Sequence, residues 1–279
     1  MTAAEDGRSP IHDQGFSYLP HFISIAESEE LIAYFGSRRP LWEQRHHASQ
    51  AERGQGSKSG SKRRLTRPVY WLGAWQFASL GYYAEPDYRE HRCLRAEPFP
   101  QVMSDILERL VDELGEYHEH ARMPNTCLIN YYGREVGLGV PRDYARLRMH
   151  RDGEPGPVIM FNIGQAGLLE FLDPDKSPDP ELRLWNRHRA VTIISGPEYK
   201  DRLYHRVVQV RTGSKPEMQC LLDNFELRRV SVSFRHVPED LIENMHEFPE
   251  SSQDIIAPYV ASLARESEHF RTQLRRRSD

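Results

Sequence analysis

The chain has little of what would place it outside an aqueous, reducing setting. Its 279 residues include three cysteines, Cys93, Cys127 and Cys220, with no C-x-x-C pair among them. An odd and scattered set points to a reduced protein. No apolar run approaches the roughly eighteen residues that a membrane helix needs. The opening Met1-Thr-Ala-Ala-Glu-Asp-Gly-Arg lacks the apolar core of a secretory signal, so a reduced, cytoplasmic protein is expected. Also missing is a phosphate loop. Gly54-Gln-Gly56-Ser-Lys-Ser-Gly60-Ser-Lys62 has the glycines but not the G-K-[ST] ending or a buried strand before it. Strong charge of either sign is absent too. A formal net charge of −4 argues against a protein that coats nucleic acid non-specifically.

What remains is a globular composition. The hydrophobic share is 38% and the mean hydropathy −0.69, low values that still allow a core at this length. An aromatic share of 10% excludes wholesale disorder. Two local basic runs stand out against the acidic whole. Residues 53–67 carry Arg53, Lys58, Lys62, Arg63, Arg64 and Arg67 with no acid, and the C-terminus reads Arg275-Arg276-Arg277. Either run can be a solvated loop or end, or a contact for phosphates.

Periodicity divides the chain. Residues 1–12 read as a flexible leader. Leu31, Ile32 and Phe35 share one side of a short helix over Glu27 to Tyr34, with Ser24 and Ser28 at its start. Leu65 to Phe77 is aromatic (Tyr70, Trp71, Trp75, Phe77) and suggests strand pieces on a hairpin-like flap, with plain core as the other reading. A helix fits Pro100 to His118 through Val102, Ile106, Leu107, Leu110, Val111 and Leu114. Short strands then follow at Cys127–Tyr132, Arg146–His150, Val158–Ile163, Leu168–Leu172, Glu181–Trp185, Ala190–Ile194, Arg206–Val210 and Arg228–Val237. Eight strands at this density predict a mainly β, α+β fold with a jelly-roll (double-stranded β-helix) core. A last helix is expected over Ile255 to Leu274. One structural domain results: an N-terminal elaboration over 13–124, a catalytic core over 125–240 and a helical extension over 241–279.

Two constellations carry chemistry. In Met149-His150-Arg151-Asp152-Gly153-Glu154, residues two apart on an extended strand point the same way. His150 and Asp152 therefore converge while Arg151 turns aside, and His205, at the start of a strand, supplies a third ligand. Two imidazoles and a carboxylate hold non-haem Fe(II) on one face and leave three positions open. His46, His47, His118, His120 and His236 lack such a context and read as surface or structural. In Arg229-Val-Ser231-Val-Ser233-Phe-Arg235 the two Args and two Sers share one face, and Val230, Val232 and Phe234 the other. Two guanidiniums with small hydroxyls between them can cradle a short dicarboxylate, or can pair with surface acids.

Together these residues resemble the AlkB family of Fe(II)- and 2-oxoglutarate-dependent dioxygenases. Asn130-Tyr131-Tyr132 matches its N-x-Y, His150-Arg-Asp152 its H-x-D, His205 its distal His, and Arg229 to Arg235 its R-x-N-x-T-x-R. Gly15-Phe-Ser-Tyr-Leu-Pro-His-Phe, Arg64 to Gly73 and Ser195-Gly196-Pro197 add support, and the likeness spans about residues 14–240. The resemblance implies that His150, Asp152 and His205 bind Fe(II). It implies that Arg229, helped by Tyr132, takes the distal carboxylate of 2-oxoglutarate, with Arg235 and Asn130 serving the end nearer the metal and Ser231 part of the same cofactor cradle. Glu154 stands where the family reads the substrate base, and Tyr70 and Trp71 are candidate substrate contacts. The implied reaction consumes 2-oxoglutarate and O2 and hydroxylates or dealkylates its substrate, an N-methyl group leaving as formaldehyde. An N-alkylated nucleobase, approached through loop 53–67, is the preferred substrate. A metabolite, peptide or protein side chain is the alternative, and a catalytically dead, partner-binding jelly roll is a third. Three features depart from the pattern: Ser231 and Ser233 replace the usual Asn and Thr, the segment Gly133 to Arg148 is long, and Thr212-Gly-Ser-Lys-Pro216 adds a loop.

Overall fold

The strands of this chain form two facing sheets, and helices cover the outer face of one of them. A computed structural model describes residues 5–38, 41, 43–46, 65–75, 92–118, 122–135, 147–151, 156–173, 175–211, 220–222 and 225–275. The chain opens with a hairpin, β1 (Ile11–Asp13) and β2 (Phe16–Leu19), and the helix α1 (Ile25–Ser37). Ser24 starts α1 as one half of a capping box. Its hydroxyl accepts from the Glu27 amide (3.2 Å), and the Glu27 carboxylate accepts from the Ser24 amide (2.8 Å). Strands β3 (Glu43–His46), β4 (Leu65–Leu72), β5 (Ala74–Trp75) and β6 (Cys93–Arg95) precede α2 (Gln101–Glu108) and α3 (Val111–Tyr117).

The β-rich half runs β7 (Thr126–Glu135), β8 (Leu147–His150), β9 (Val158–Gly164), β10 (Gly167–Leu172), β11 (Leu182–Asn186) and β12 (Ala190–Ile194). A π-helical turn, Pro197–Arg202, leads into β13 (Tyr204–Val210). Then come β14 (Cys220–Leu222), β15 (Phe225–Arg235), β16 (Ile242–Glu243), α4 (Glu250–Leu263) and α5 (Glu268–Arg275). The major sheet has the order β1-β2-β12-β9-β15-β7-β4-β3, with β14 beside β15. The minor sheet has the order β11-β10-β13-β8, and β16-β6-β5 form a small third sheet.

All the pairings of the two large sheets are antiparallel, which gives the expected double-stranded β-helix. The outer face of the major sheet, with Tyr131, Val230, Val232 and Phe234, meets Leu31, Phe35, Val102, Ile106, Ile256 and Val260 of the helices. Its inner face contributes Phe16, Tyr18, Val158 and Met160, which pack against Leu169, Phe171 and Val207 of the minor sheet. Burial at about 25 cal/mol per Å² of apolar surface is what holds both layers together.

Each of the eight core strands read from the sequence is present, with no end moved by more than three residues and Ala190–Ile194 unchanged. The helices differ more. The segment 100–118 is two helices, because Arg109 turns out to make a two-pronged bond to Glu27 (2.6 and 3.0 Å) while Leu110 turns into the core. The C-terminal helix is also split. Its break contains buried Ser267, whose hydroxyl leaves the helix to donate to Glu97 (2.5 Å).

The aromatic flap is a correction. Residues 65–72 are an inner strand of the major sheet, paired with both β3 and β7. Tyr70 and Trp71 are 0% and 1% exposed. The Tyr70 hydroxyl donates to Glu97 (2.6 Å), which also accepts from Arg38 (3.1 Å). Gly73 ends this strand with φ +74°, and a Cβ there would sit 1.9 Å from the Asn125 carbonyl, so only glycine lets β4 turn against β7.

Candidate functional site

Two imidazoles meet on the inner face of the minor sheet. His205 lies directly across from Phe171 on β10 and from His150 on β8, so the three side chains form one row. The His150 and His205 ring centroids are 4.1 Å apart and tilted by 56°. That spacing lets one nitrogen of each ring reach a common cation at the roughly 2 Å typical of imidazole ligation. His205 is 2% exposed, and Phe171 stands 5.9 Å from it as an apolar wall. Arg151 does turn aside, as strand alternation requires. Its guanidinium lies 4.4 Å from the centroid of the Tyr204 ring and donates to the Asp201 carbonyl (2.6 Å). Asp152 and Glu154 lie outside the described residues, as does loop 53–67 up to residue 64.

The opposite wall is cationic. β15 sits between β7 and β9, and pairing across these strands aligns rows on the inner face. One row joins Tyr132, Arg229 and Gly164, the next Asn130, Ser231 and Asn162, and a third Leu128, Ser233 and Met160. Trp71 extends the third row through its pairing with Leu128, and both Trp71 and Tyr70 are buried in the large core cluster that includes the helices. Neither is a surface platform, and the flap-like stacking role expected of them is withdrawn. Arg229 and Arg235 are only 4% and 7% exposed. The Arg229 guanidinium carbon stands 3.9 Å from the Tyr132 ring centroid, a stacked cation–π contact that holds the fork in one plane.

A residue with no sequence signal completes this wall. Gly167 opens β10 on the facing sheet, and a Cβ built on it would meet Arg229 Nη1 at 3.6 Å and Cζ at 3.8 Å. The guanidinium thus lies between a ring and a glycine. Contact across two sheets leaves no local pattern to read.

Two of the other histidines, His118 and His236, have structural work. His118 is buried between two hydroxyls, Nε2 bonding Ser17 Oγ (2.9 Å) and Nδ1 bonding Ser195 Oγ (2.8 Å). Burial pushes its pKa down to about 4, with Glu113 opposing weakly. His236 Nδ1 bonds the Met123 carbonyl (3.0 Å).

The donor set fits an iron and 2-oxoglutarate centre: paired imidazoles on one wall, and two buried guanidiniums with small hydroxyls on the other. Among the described residues, no helix is long and apolar enough to cross a membrane. A search of curated proteins finds no match. Among solved structures, that of OsALKBH1 is similar with a TM-score of 0.52 at 15% identity, covering 82% of this chain and 100% of that one. The fold is therefore AlkB-like. The family model for the 2OG-Fe(II) oxygenase superfamily matches residues 15–235. Sheet order, the facing His and Arg walls and that match agree, and the chain belongs to the 2OG-Fe(II) oxygenase superfamily, dioxygenases that use Fe(II), 2-oxoglutarate and O2.

Proposed function

We propose that His150, Asp152 and His205 hold the iron, and that Arg229, Tyr132, Asn130, Ser231 and Arg235 hold 2-oxoglutarate beside it. The observation that carries this reading is the 4.1 Å approach of the two imidazoles inside the same barrel as the Arg229–Arg235 face. Bound Fe(II), with 2-oxoglutarate and O2, supplies the oxidising chemistry. The protein supplies position and dryness. Tyr132 fixes the plane of Arg229, so its fork meets a carboxylate in a two-pronged, charge-assisted contact. Arg235 adds a second positive charge on the same face, which suits a dianion. Phe171 keeps water from His205.

The substrate is an N-alkylated nucleobase, dealkylated oxidatively, with Glu154 reading the base and loop 53–67 meeting phosphates. The AlkB-like fold and the place of Glu154, two residues after Asp152, support this choice. Burial of Tyr70 and Trp71 removes the stacking argument and keeps a metabolite, peptide or protein side chain as the second reading. The enzyme works in the cytoplasm, in keeping with the buried Cys127 thiol, which forms no disulfide.

Anaerobic Fe(II) with 2-oxoglutarate should give a visible charge-transfer band that His150→Ala abolishes. No band in the wild type would sink the assignment of the metal ligands. Succinate release should then be stimulated by methylated oligonucleotides over unmethylated ones. Stimulation by a metabolite or peptide panel alone would move the substrate to the second reading.

A further inference from the structure

Lys200 is a charged side chain with no part in the site as described, and it is only 6% exposed. It lies in the π-helical turn Pro197–Arg202, which carries the chain through Leu203 and Tyr204 into His205. Taking an ammonium out of water costs several kcal/mol unless strong partners receive it. A turn on the surface has no need of one. Here the Lys200 Nζ donates to the carbonyl of Gly156 at 2.5 Å. From the same turn, the carbonyl of Asp201 accepts from Arg151 (2.6 Å), whose guanidinium also covers the Tyr204 ring. Adjacent residues of one turn therefore grip Arg151 and Gly156, the two ends of a stretch whose sequence includes Asp152.

The turn is itself well anchored. Tyr199 stacks on Phe16 at 4.9 Å and meets the edge of Phe171 at 5.6 Å, so the turn is keyed into both sheets. On the outside, Arg202 is held by both oxygens of Glu181 (2.7 Å each), by Asp173 (3.1 Å) and by Glu198. A π-helical turn is uncommon and recurs at functional sites, because its extra residue re-aims the side chains that follow.

We propose that Lys200 and Arg151 are positioning residues of the metal centre: they pin both ends of the 151–156 stretch to the turn that delivers His205. This rests on the reading of His150, Asp152 and His205 as iron ligands. Groups that orient metal ligands from outside typically change metal affinity by about 10–100-fold when removed. Slack at either end leaves the ligands chemically intact and lowers that affinity.

The test is Mn(II) binding to the full chain, followed calorimetrically, with thermal unfolding measured in parallel. Lys200→Met keeps the length of the side chain and removes its donor, and it should weaken Mn(II) binding by about tenfold or more. Lys200→Arg, which can still donate to Gly156, should recover most of the loss. Arg151→Gln alters an exposed residue and decides the matter if Lys200→Met does not fold; it too should weaken Mn(II) with little change in the unfolding midpoint. Mn(II) affinity within twofold of wild type in the folded variants overturns the tether. Failure of the wild type to bind Mn(II) removes the ligand reading, and this inference with it.

Discussion

Replacing Gly167 by valine tests the anion wall from the opposite sheet without mutating any proposed ligand. A Cβ at this position already stands 3.0 Å from Val207 Cγ1, 3.6 Å from Arg229 Nη1 and 3.8 Å from its Cζ. Alanine therefore needs Val207 to shift by a few tenths of an ångström and leaves the guanidinium in ordinary contact. The γ-methyls of valine occupy space that the guanidinium fills, and with Tyr132 stacked 3.9 Å away there is no slack on that side. Overpacking of this kind costs about 1–3 kcal/mol of stability. Displacing the fork loses a charge-assisted bond worth about 1.5–3 kcal/mol, which converts to roughly a 10- to 150-fold weaker dicarboxylate. The assay is calorimetric titration of 2-oxoglutarate into the Mn(II)-loaded protein, with 2-oxovalerate as the control that lacks the distal carboxylate. Gly167→Val should weaken 2-oxoglutarate selectively and Gly167→Ala much less. Equal loss for both keto acids, or 2-oxoglutarate affinity within twofold of wild type, would refute the placement of the distal carboxylate between Arg229 and this wall.

Three further outcomes follow from other parts of the fold. Glu97 accepts from Tyr70, Arg38 and Ser267 and so ties β4, the end of α1 and the C-terminal helices together; these bonds hold its pKa below the usual range despite burial. Glu97→Ala should cost about 3–5 kcal/mol in urea unfolding, and a loss below about 1 kcal/mol would show the hub to be peripheral. Burial keeps His118 neutral with a pKa near 4, below the 6.5 of the unfolded chain, so the unfolded state takes up a proton that the fold refuses. Stability should fall as pH drops from about 6.5 to 4, by at most about 1.4 kcal/mol per unit from this group, and His118→Gln should flatten that slope. His188, also lowered to about 4 chiefly by burial, leaves a residual slope in both proteins. Cys127 is fully buried, and desolvation pushes its thiol pKa well up. Iodoacetamide should leave it unmodified in the native protein and label it in urea, as mass spectrometry would show.

How far the site could be read in advance depends on the range over which each residue acts. The alternation in Arg229 to Arg235 is local, so its two faces were legible, and the fold puts Val230, Val232 and Phe234 outward against the helices as that alternation demands. The turning aside of Arg151 follows from the same period of two. Tyr70 and Trp71 were misplaced because an aromatic run is equally consistent with a flap and with a core strand. What decides between them is the pairing of β4 with β7, more than fifty residues away along the chain. The split of 100–118 into two helices turned on a single distant partner, Glu27 of α1, which no helical periodicity contains. Lys200 was hidden more thoroughly: Glu198-Tyr-Lys-Asp-Arg202 reads as a solvated turn, and only the fold shows one cation of the five residues turned inward to a backbone carbonyl. The proposed ligands of this centre are thus suggested by strand-period spacings, His150 to Asp152 and Arg229 to Arg235, whereas His205 is joined to them only by the fold. The residues that set its tolerances, Lys200 and Gly167, are defined only by what the opposite strand or turn places against them.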